Sequence, residues 1–257
     1  MKETLAIIGS GNMGQAIANG LLKKNVVAQR QLFLTNSQTR NNKEVVEKAN
    51  IIILAVKPQV AQLVMDEIKN SVKDQLIISI MAGITIDFIQ QALGKDVAVV
   101  RVMPNLAARV GKSMSVWVKS KEVTLHQEEI TKTILEAIGM QLELAQEEQI
   151  NMATAISGSG PAYFFYITEL IEQAAEQLGF SKKQARLLVR QTFLGAAELF
   201  HVSEIPAEDL RRAVSSKGGT TEAAIEVFQK AELQHTLAKG ILAGYTRADE
   251  LGKASGK

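Results

Sequence analysis

The sequence predicts an α/β fold: a doubly wound parallel sheet in the first half of the chain, followed by an all-helical second half. Three observations carry this. Short runs that are apolar on both faces recur through the first half, and between them lie stretches with apolar residues three and four apart. Beyond about Glu147 only the helical spacing continues. Strand, helix and strand in repetition describe a buried parallel sheet covered by helices on both faces.

In chain order, strands are expected over residues 4–8, 32–35, 51–56, 76–80 and 97–102, with helices over 13–24, 60–71 and 86–93. Two further strands, 113–118 and 142–144, flank a helix that starts near Leu125. In the second half, residues 157–160 should end one helix and start another, because Pro161 suits a first helical turn, where its missing N–H costs nothing. Ser181 and Gln184 have capping-box spacing at the head of a helix running toward His201, and Pro206 falls in the linker after it. Thr220 or Thr221 is expected to cap the helix that follows. This reading divides the chain into a domain of residues 1–149 and a second of residues 150–257.

The bulk numbers narrow the function. Hydrophobic residues make up 46% of the 257 and charged residues 22%, a globular balance with enough Leu, Ile and Val to build a core. The formal net charge of +2, with Lys and Arg scattered among Glu, supplies no basic stripe for nucleic acid. The chain has no cysteine, which excludes disulfides and thiolate chemistry. His126, His201 and His235 lack any metal-ligand spacing, so no bound metal is expected. There is neither a leader-like segment after Met1 nor an apolar run approaching the ~18 residues that span a bilayer, and a cytoplasmic, non-membrane protein is expected.

The first chemistry-bearing segment is "AIIGSGNMGQAIANGLL", residues 6–22. A GxGxxG alone is a weak signal, but Gly9, Gly11 and Gly14 follow an apolar strand and precede a helix, the context the dinucleotide fingerprint needs. Gly9 permits a tight turn, Gly11 lets a pyrophosphate approach the backbone, and Gly14 allows close helix-to-strand packing. The helix start adds unpaired N–H groups and the positive end of its dipole. NAD-binding proteins usually place an acid about 20 residues further on, at the end of the second strand. Here that stretch is "LTNSQTR", residues 34–40, with the neutral donors Asn36, Ser37 and Thr39 and with Arg40 able to pair with a 2′-phosphate. NADPH is therefore the expected cofactor, with NADH as the alternative. In the helical half, "SGSGPAYFF" (157–165) and "SSKGGTTEAA" (215–224) place glycine pairs among helices. Gly218 and Gly219 ahead of a helix make a concave array of N–H groups suited to a carboxylate, or an ordinary interhelical turn.

Taken together, "IGSGNMG", "AVKPQ" (55–59), "RVMPN" (101–105), "SGSGPAYFF" and "SKGGTTEAA" closely resemble pyrroline-5-carboxylate reductases, in order and over nearly the whole chain. The resemblance implies a Rossmann-type N-terminal domain and a helical C-terminal dimerisation domain, in dimers often gathered five at a time into a decamer. It implies reduction of the cyclic imine 1-pyrroline-5-carboxylate to proline by NADPH or NADH. Carried over, Gly9, Ser10, Gly11, Asn12, Met13 and Gly14 would hold the pyrophosphate, and Asn36 and Ser37 the adenosine ribose or its phosphate. Ala55, Val56, Lys57 and Pro58 would line the nicotinamide side, as would Ala82 and Gly83. Ser216, Gly218, Gly219, Thr220 and Thr221 would form the substrate loop, with the Thr221 hydroxyl facing the imine nitrogen.

Three departures from the family's pattern stand out. The segment after the second strand lacks the length of a further helix and short strand, Leu106 and Ala107 follow the Asn of "MPN" where Thr and Pro are common, and Lys217 replaces a frequent proline. Hydride addition to an imine already protonated on nitrogen cancels its charge and needs no strong general acid, in keeping with motifs that carry no His or Asp. Lys57 and Tyr163 are alternative donors, although Lys57 precedes Pro58 at a strand end and fits a cofactor-edge role better. Phe164, Phe165 and Tyr166 read as subunit-interface residues. Two other functions compete for the same glycine turn. A β-hydroxyacid dehydrogenase needs a helical Lys with Asn four residues later, which Lys132, Lys182, Lys183, Lys230 and Lys239 all lack. A non-catalytic dinucleotide-binding regulator could keep the glycine turn without turnover.

Overall fold

The computed structural model describes residues 1–39 and 41–255. Its sheet is built from β1 (Leu5–Ile8), β2 (Leu32–Thr35), β3 (Ile51–Leu54), β4 (Leu76–Ser79), β5 (Val99–Met103), β6 (Ser113–Lys119) and β7 (Gly139–Glu143), in the order β2-β1-β3-β4-β5-β6-β7. All neighbours pair in parallel except β5 and β6, which are antiparallel. That reversal follows from chain length. Residues 104–112 supply only a 3-10 turn, Leu106–Val110, and a parallel return needs a crossover of a dozen or more residues.

The strands β1, β3, β4 and β5 are buried on both faces because both faces are covered. Leu5, Ile7, Ile51, Ile53, Ile78 and Val100 pack against Ile17 and Leu21 of α1 (Asn12–Lys23) and Ile134 of α5 (Leu125–Glu136). Alternate residues, Ile8, Ile52, Leu54, Ile77 and Val99, face the other way. They meet Val46 of α2 (Asn42–Lys48), Met65 of α3 (Ala61–Ile68) and Ile89 of α4 (Ile86–Leu93). Period-two alternation thus splits one sheet into two cores, each worth about 25 cal/mol per Å² of apolar surface buried. Trp117 is fully buried, and its indole N–H is satisfied by Gln141 Oε1 at 2.8 Å.

The shortened segment after β2 has a definite structural form. The seven-residue α2 crosses directly to β3, so β2 is the sheet's edge and β1 has only one strand outboard of it. A buried relay holds this crossover: the Thr35 hydroxyl donates to Asn42 Oδ1 at 2.6 Å, and Asn42 Nδ2 donates to Glu67 Oε2 of α3 at 2.9 Å.

The helical half contains α6 (Glu148–Ala153), α7 (Gly160–Gln177), α8 (Lys182–Val202), α9 (Ala207–Ala213), α10 (Thr220–Lys230) and α11 (Leu233–Ser255). Two compact units are distinguished: Met1–Pro161 with the residues from Ala243 onward, and Ala162–Leu242. In the second unit, Ser181 and Gln184 form the expected capping box at the start of α8. The rings of Phe164 and Phe193 lie 6.1 Å apart between centroids. The break expected at residues 157–160 takes the form of a π-helical turn, Thr154–Gly158, between α6 and α7. Among the described residues, no helix is long and apolar enough to cross a membrane.

Candidate functional site

In the first unit, the chain doubles back at β1: β2 lies on one side of it and β3 on the other, and such a switch point opens a crevice beyond the carboxyl ends of the strands. The glycine turn sits there. Gly9 has φ +102°, and the N–H groups of Gly9 and Ser10 both donate to Thr35 O, at 3.1 and 2.9 Å, which ties the turn to the end of β2. A Cβ on Gly9 would lie 2.7 Å from the carbonyl of Ala55 and 2.9 Å from Val56 Cγ1, so the turns after β1 and β3 touch. A Cβ on Gly14 would lie 2.2 Å from Gly9 O and 3.2 Å from Ile7 Cγ2. Gly9 and Gly14 are thus required by packing.

Gly11 differs. A Cβ there would meet nothing within 4 Å, so the reason for glycine lies outside the protein's own packing. Gly11 is also the N-cap of α1, with no side-chain cap and no acidic residue in the first turn, and Asn12 and Met13 are the first helical residues. The leading N–H groups of a helix have no intrahelical partner. An open, uncapped helix start at the end of a parallel strand fits a pyrophosphate.

The other cofactor-side residues fall around this turn. Ala55 donates its N–H to Ile8 O at 2.8 Å, Val56 packs on the α3 core, and Lys57 is the exposed residue before a 3-10 turn, Pro58–Val60. Asn36 and Ser37 are exposed in the loop after β2. Asn36 Oδ1 accepts from the N–H groups of Gln38 and Thr39, at 2.8 and 3.0 Å, so its carbonyl end shapes the loop. Arg40 lies outside the described residues. Ala82 and Gly83 follow β4; Gly83 has φ +76°, and a Cβ there would come 3.1 Å from the backbone of Leu251, the approach of α11.

The proposed substrate loop belongs to the second unit. Gly218 has φ +71°, and Gly219 N–H donates to Ser216 O at 2.9 Å, so residues 216–219 form a tight turn into α10. The expectation that Thr220 or Thr221 caps α10 is corrected: the N-cap is Gly219, extended at φ −84° and ψ 170°, and the two threonines are the first helical residues. Their hydroxyls are thereby released from capping.

Two features were not legible as roles in the sequence. Glu222 Oε2 accepts from Gly218 N–H at 2.6 Å, so one amide of the loop is held by the protein's own carboxylate. An acid in the third position of α10 is a capping-box signal that would have pointed to this. The "RVMPN" segment is a fastening: Arg101, 4% exposed, reaches Glu147 Oε1 at 2.8 Å and Asn151 Oδ1 at 3.1 Å. Glu147 Oε1 also accepts from Ile86 N–H, and Asn105 Nδ2 donates to Ser157 O of the π-helical turn at 2.9 Å.

A glycine turn of this geometry at the switch point of a doubly wound sheet defines a Rossmann-type dinucleotide-binding protein. Residues 4–83 match the family model "NADP oxidoreductase coenzyme F420-dependent", and residues 147–251 match "Pyrroline-5-carboxylate reductase dimerisation". Among curated proteins, pyrroline-5-carboxylate reductase of Pseudomonas aeruginosa is 36% identical, covering 98% of this chain and 98% of its own. Pyrroline-5-carboxylate reductase 2 of Bacillus subtilis is 34% identical, over 91% of this chain and 90% of its own. Among solved structures, pyrroline carboxylate reductase of Plasmodium falciparum with NADP bound superposes with a TM-score of 0.90 at 29% identity, covering 98% of each chain. The chain belongs to the pyrroline-5-carboxylate reductase family.

Proposed function

We propose that this protein reduces 1-pyrroline-5-carboxylate to L-proline with NADPH, in the cytoplasm, as a homodimer. The observation that carries the reading is Gly11: an open, uncapped helix start at the switch point, in a chain that belongs to this reductase family. Residues 1–149 are assigned to cofactor binding and residues 150–257 to substrate binding and dimerisation.

When bound, NADPH supplies the hydride that reduces the C=N bond. Gly9 and Ser10, tied by their N–H groups to Thr35, shape the turn, and Gly11, Asn12, Met13 and Gly14 present backbone N–H groups to the pyrophosphate. Asn36 and Ser37, with Arg40, take the ribose and its phosphate. Ala55, Val56, Lys57, Pro58, Ala82 and Gly83 line the nicotinamide side. Ser216 and Thr220 orient the substrate carboxylate, Gly218 and Gly219, whose N–H groups are held by Glu222 and Ser216, shape the loop, and the Thr221 hydroxyl bonds the ring nitrogen. Holding the ring in one orientation removes much of the entropic barrier to transfer, and the cofactor carries the hard chemistry.

The test is direct. Purified protein is mixed with fresh pyrroline-5-carboxylate, and the loss of NADPH absorbance is followed, with NADH in parallel. Imine-dependent oxidation, faster with NADPH, is expected. Binding of NADPH without turnover would reject the reductase reading in favour of a regulatory role.

A further inference from the structure

A groove of about 560 Å³ runs between α1 and the 3-10 turn after β5, lined in part by the buried Ala16, Ala108 and Ala137. Its far wall is the 3-10 turn after β5 and the two residues beyond it. The volume lies in the range of small-molecule sites. Four cations line it: Lys23 and Lys24 from the end of α1, and Arg109 and Lys112 from the opposite wall. The lining contains no Asp or Glu, in a chain whose 29 Lys and Arg are nearly balanced by 27 Asp and Glu.

Elsewhere, basic side chains find acids: Lys48 with Glu44, Lys132 with Glu128 and Glu129, Arg212 with Glu208. Among the described residues, none of the four groove cations makes an ion pair. Lys23 and Lys24 complement the negative end of the α1 dipole, but that accounts for one wall only. Arg109 and Lys112 arrive from a separate segment. Gln15 and Asn19, hydrogen-bonded to each other at 3.1 Å, add neutral polar groups on the same helix. Asn12 marks the groove's end beside the glycine turn.

Like charges drawn together from two elements repel, and an anion of several charges relieves that repulsion. We propose that this groove is a binding site for a polyphosphate group, separate from the glycine turn that takes the cofactor's pyrophosphate. Arg109 supplies a planar fork for phosphate oxygens and the lysines supply point charges. The polyphosphate can be free or carried by a nucleoside.

The test uses the full chain with NADP⁺ at saturation, so that the cofactor turn is filled. Inorganic tripolyphosphate and ATP are titrated separately by calorimetry, and Arg109→Gln/Lys112→Gln is compared with Lys2→Gln/Lys95→Gln, which removes the same charge from exposed positions outside the groove. Saturable binding of one equivalent is expected, weakened about tenfold or more by the groove pair and within about twofold of wild type for the control pair. Equal affinity for ATP and tripolyphosphate would support recognition of the phosphates alone; tighter ATP binding would support a nucleotide site. Absence of saturable binding with NADP⁺ in place, or equal loss in the two variants, would overturn the proposal.

Discussion

Gly11 and Gly14 stand three residues apart in one motif and answer to different constraints. At Gly14 an added methyl meets Gly9 O at 2.2 Å, so Gly14→Ala must push the helix from the strand. It should destabilise the protein by about 1–3 kcal/mol, measured by denaturant titration, as well as weaken NADPH. At Gly11 the space is open, so Gly11→Ala should cost about 1 kcal/mol or less, from loss of a good N-cap residue, while NADPH affinity falls further than stability does. Fluorescence titration with NADPH separates the two; unchanged affinity in Gly11→Ala would remove the pyrophosphate from this turn. Thr221 gives the third residue-scale prediction. Because Gly219 caps α10, the Thr221 hydroxyl is not committed to the helix start, and Thr221→Ala should lower kcat about tenfold or more. NADPH binding should stay near wild type, and equal loss in both measurements would count against its contact with the imine nitrogen.

Among the elements, α5 is tied to β6 and β7 by a charge network whose acid side is Glu128 and Glu143. Lys119 of β6 pairs with Glu128 and, at 2.8 Å, with Glu143, and Lys132 pairs with Glu128 at 2.7 Å. The Lys119 and then the Lys132 ammonium hold the Glu128 carboxyl below the usual carboxylate range. A carboxyl lowered on folding adds stability above its ordinary pKa and loses it as pH falls through the folded value. The thermal stability of wild type should therefore fall as pH drops below the ordinary carboxylate range, and Glu128→Gln should be less stable at neutral pH with a flatter acid slope. A slope identical to wild type would show that other carboxylates govern acid unfolding. Elements also mark where the sequence was readable. The α1, α4 and α5 helices and the strands β1 to β6 carry apolar periods set by burial and were legible, whereas β7, expected at 142–144, runs over Gly139–Glu143 with no buried residue to mark its start. The seven-residue α2 is too short to display a period, and antiparallel β6 has the same alternation a parallel strand would have, so only the short 104–112 link betrays its direction. The glycine turn was legible because its spacing is local; the Arg101–Glu147 and Asn105–Ser157 contacts join residues 46 and 52 positions apart and leave no local signal.

For the whole molecule the outstanding feature is apolar surface on the second unit. Phe164 and Phe165 of α7 are each 58% exposed, and Leu187 and Phe200 of α8 are 68% and 55% exposed. Monomeric proteins rarely leave large contiguous apolar surface in water, and a two-fold axis lets one such surface cover its own copy. These residues fall within the 147–251 span that matches the dimerisation family model. Phe165→Glu places a charge where a second copy would exclude water, and an unpaired buried charge costs more than the lost contact alone. Light scattering should then report a monomer from Phe165→Glu, while Phe165→Leu, which keeps an apolar side chain, stays oligomeric. If each copy completes the other's site, the monomer loses reductase activity and still binds NADPH, since the glycine turn and both sheet cores lie in the first unit. A fully active monomer would detach catalysis from assembly; a Phe165→Glu protein of unchanged mass would move the interface off this face of α7.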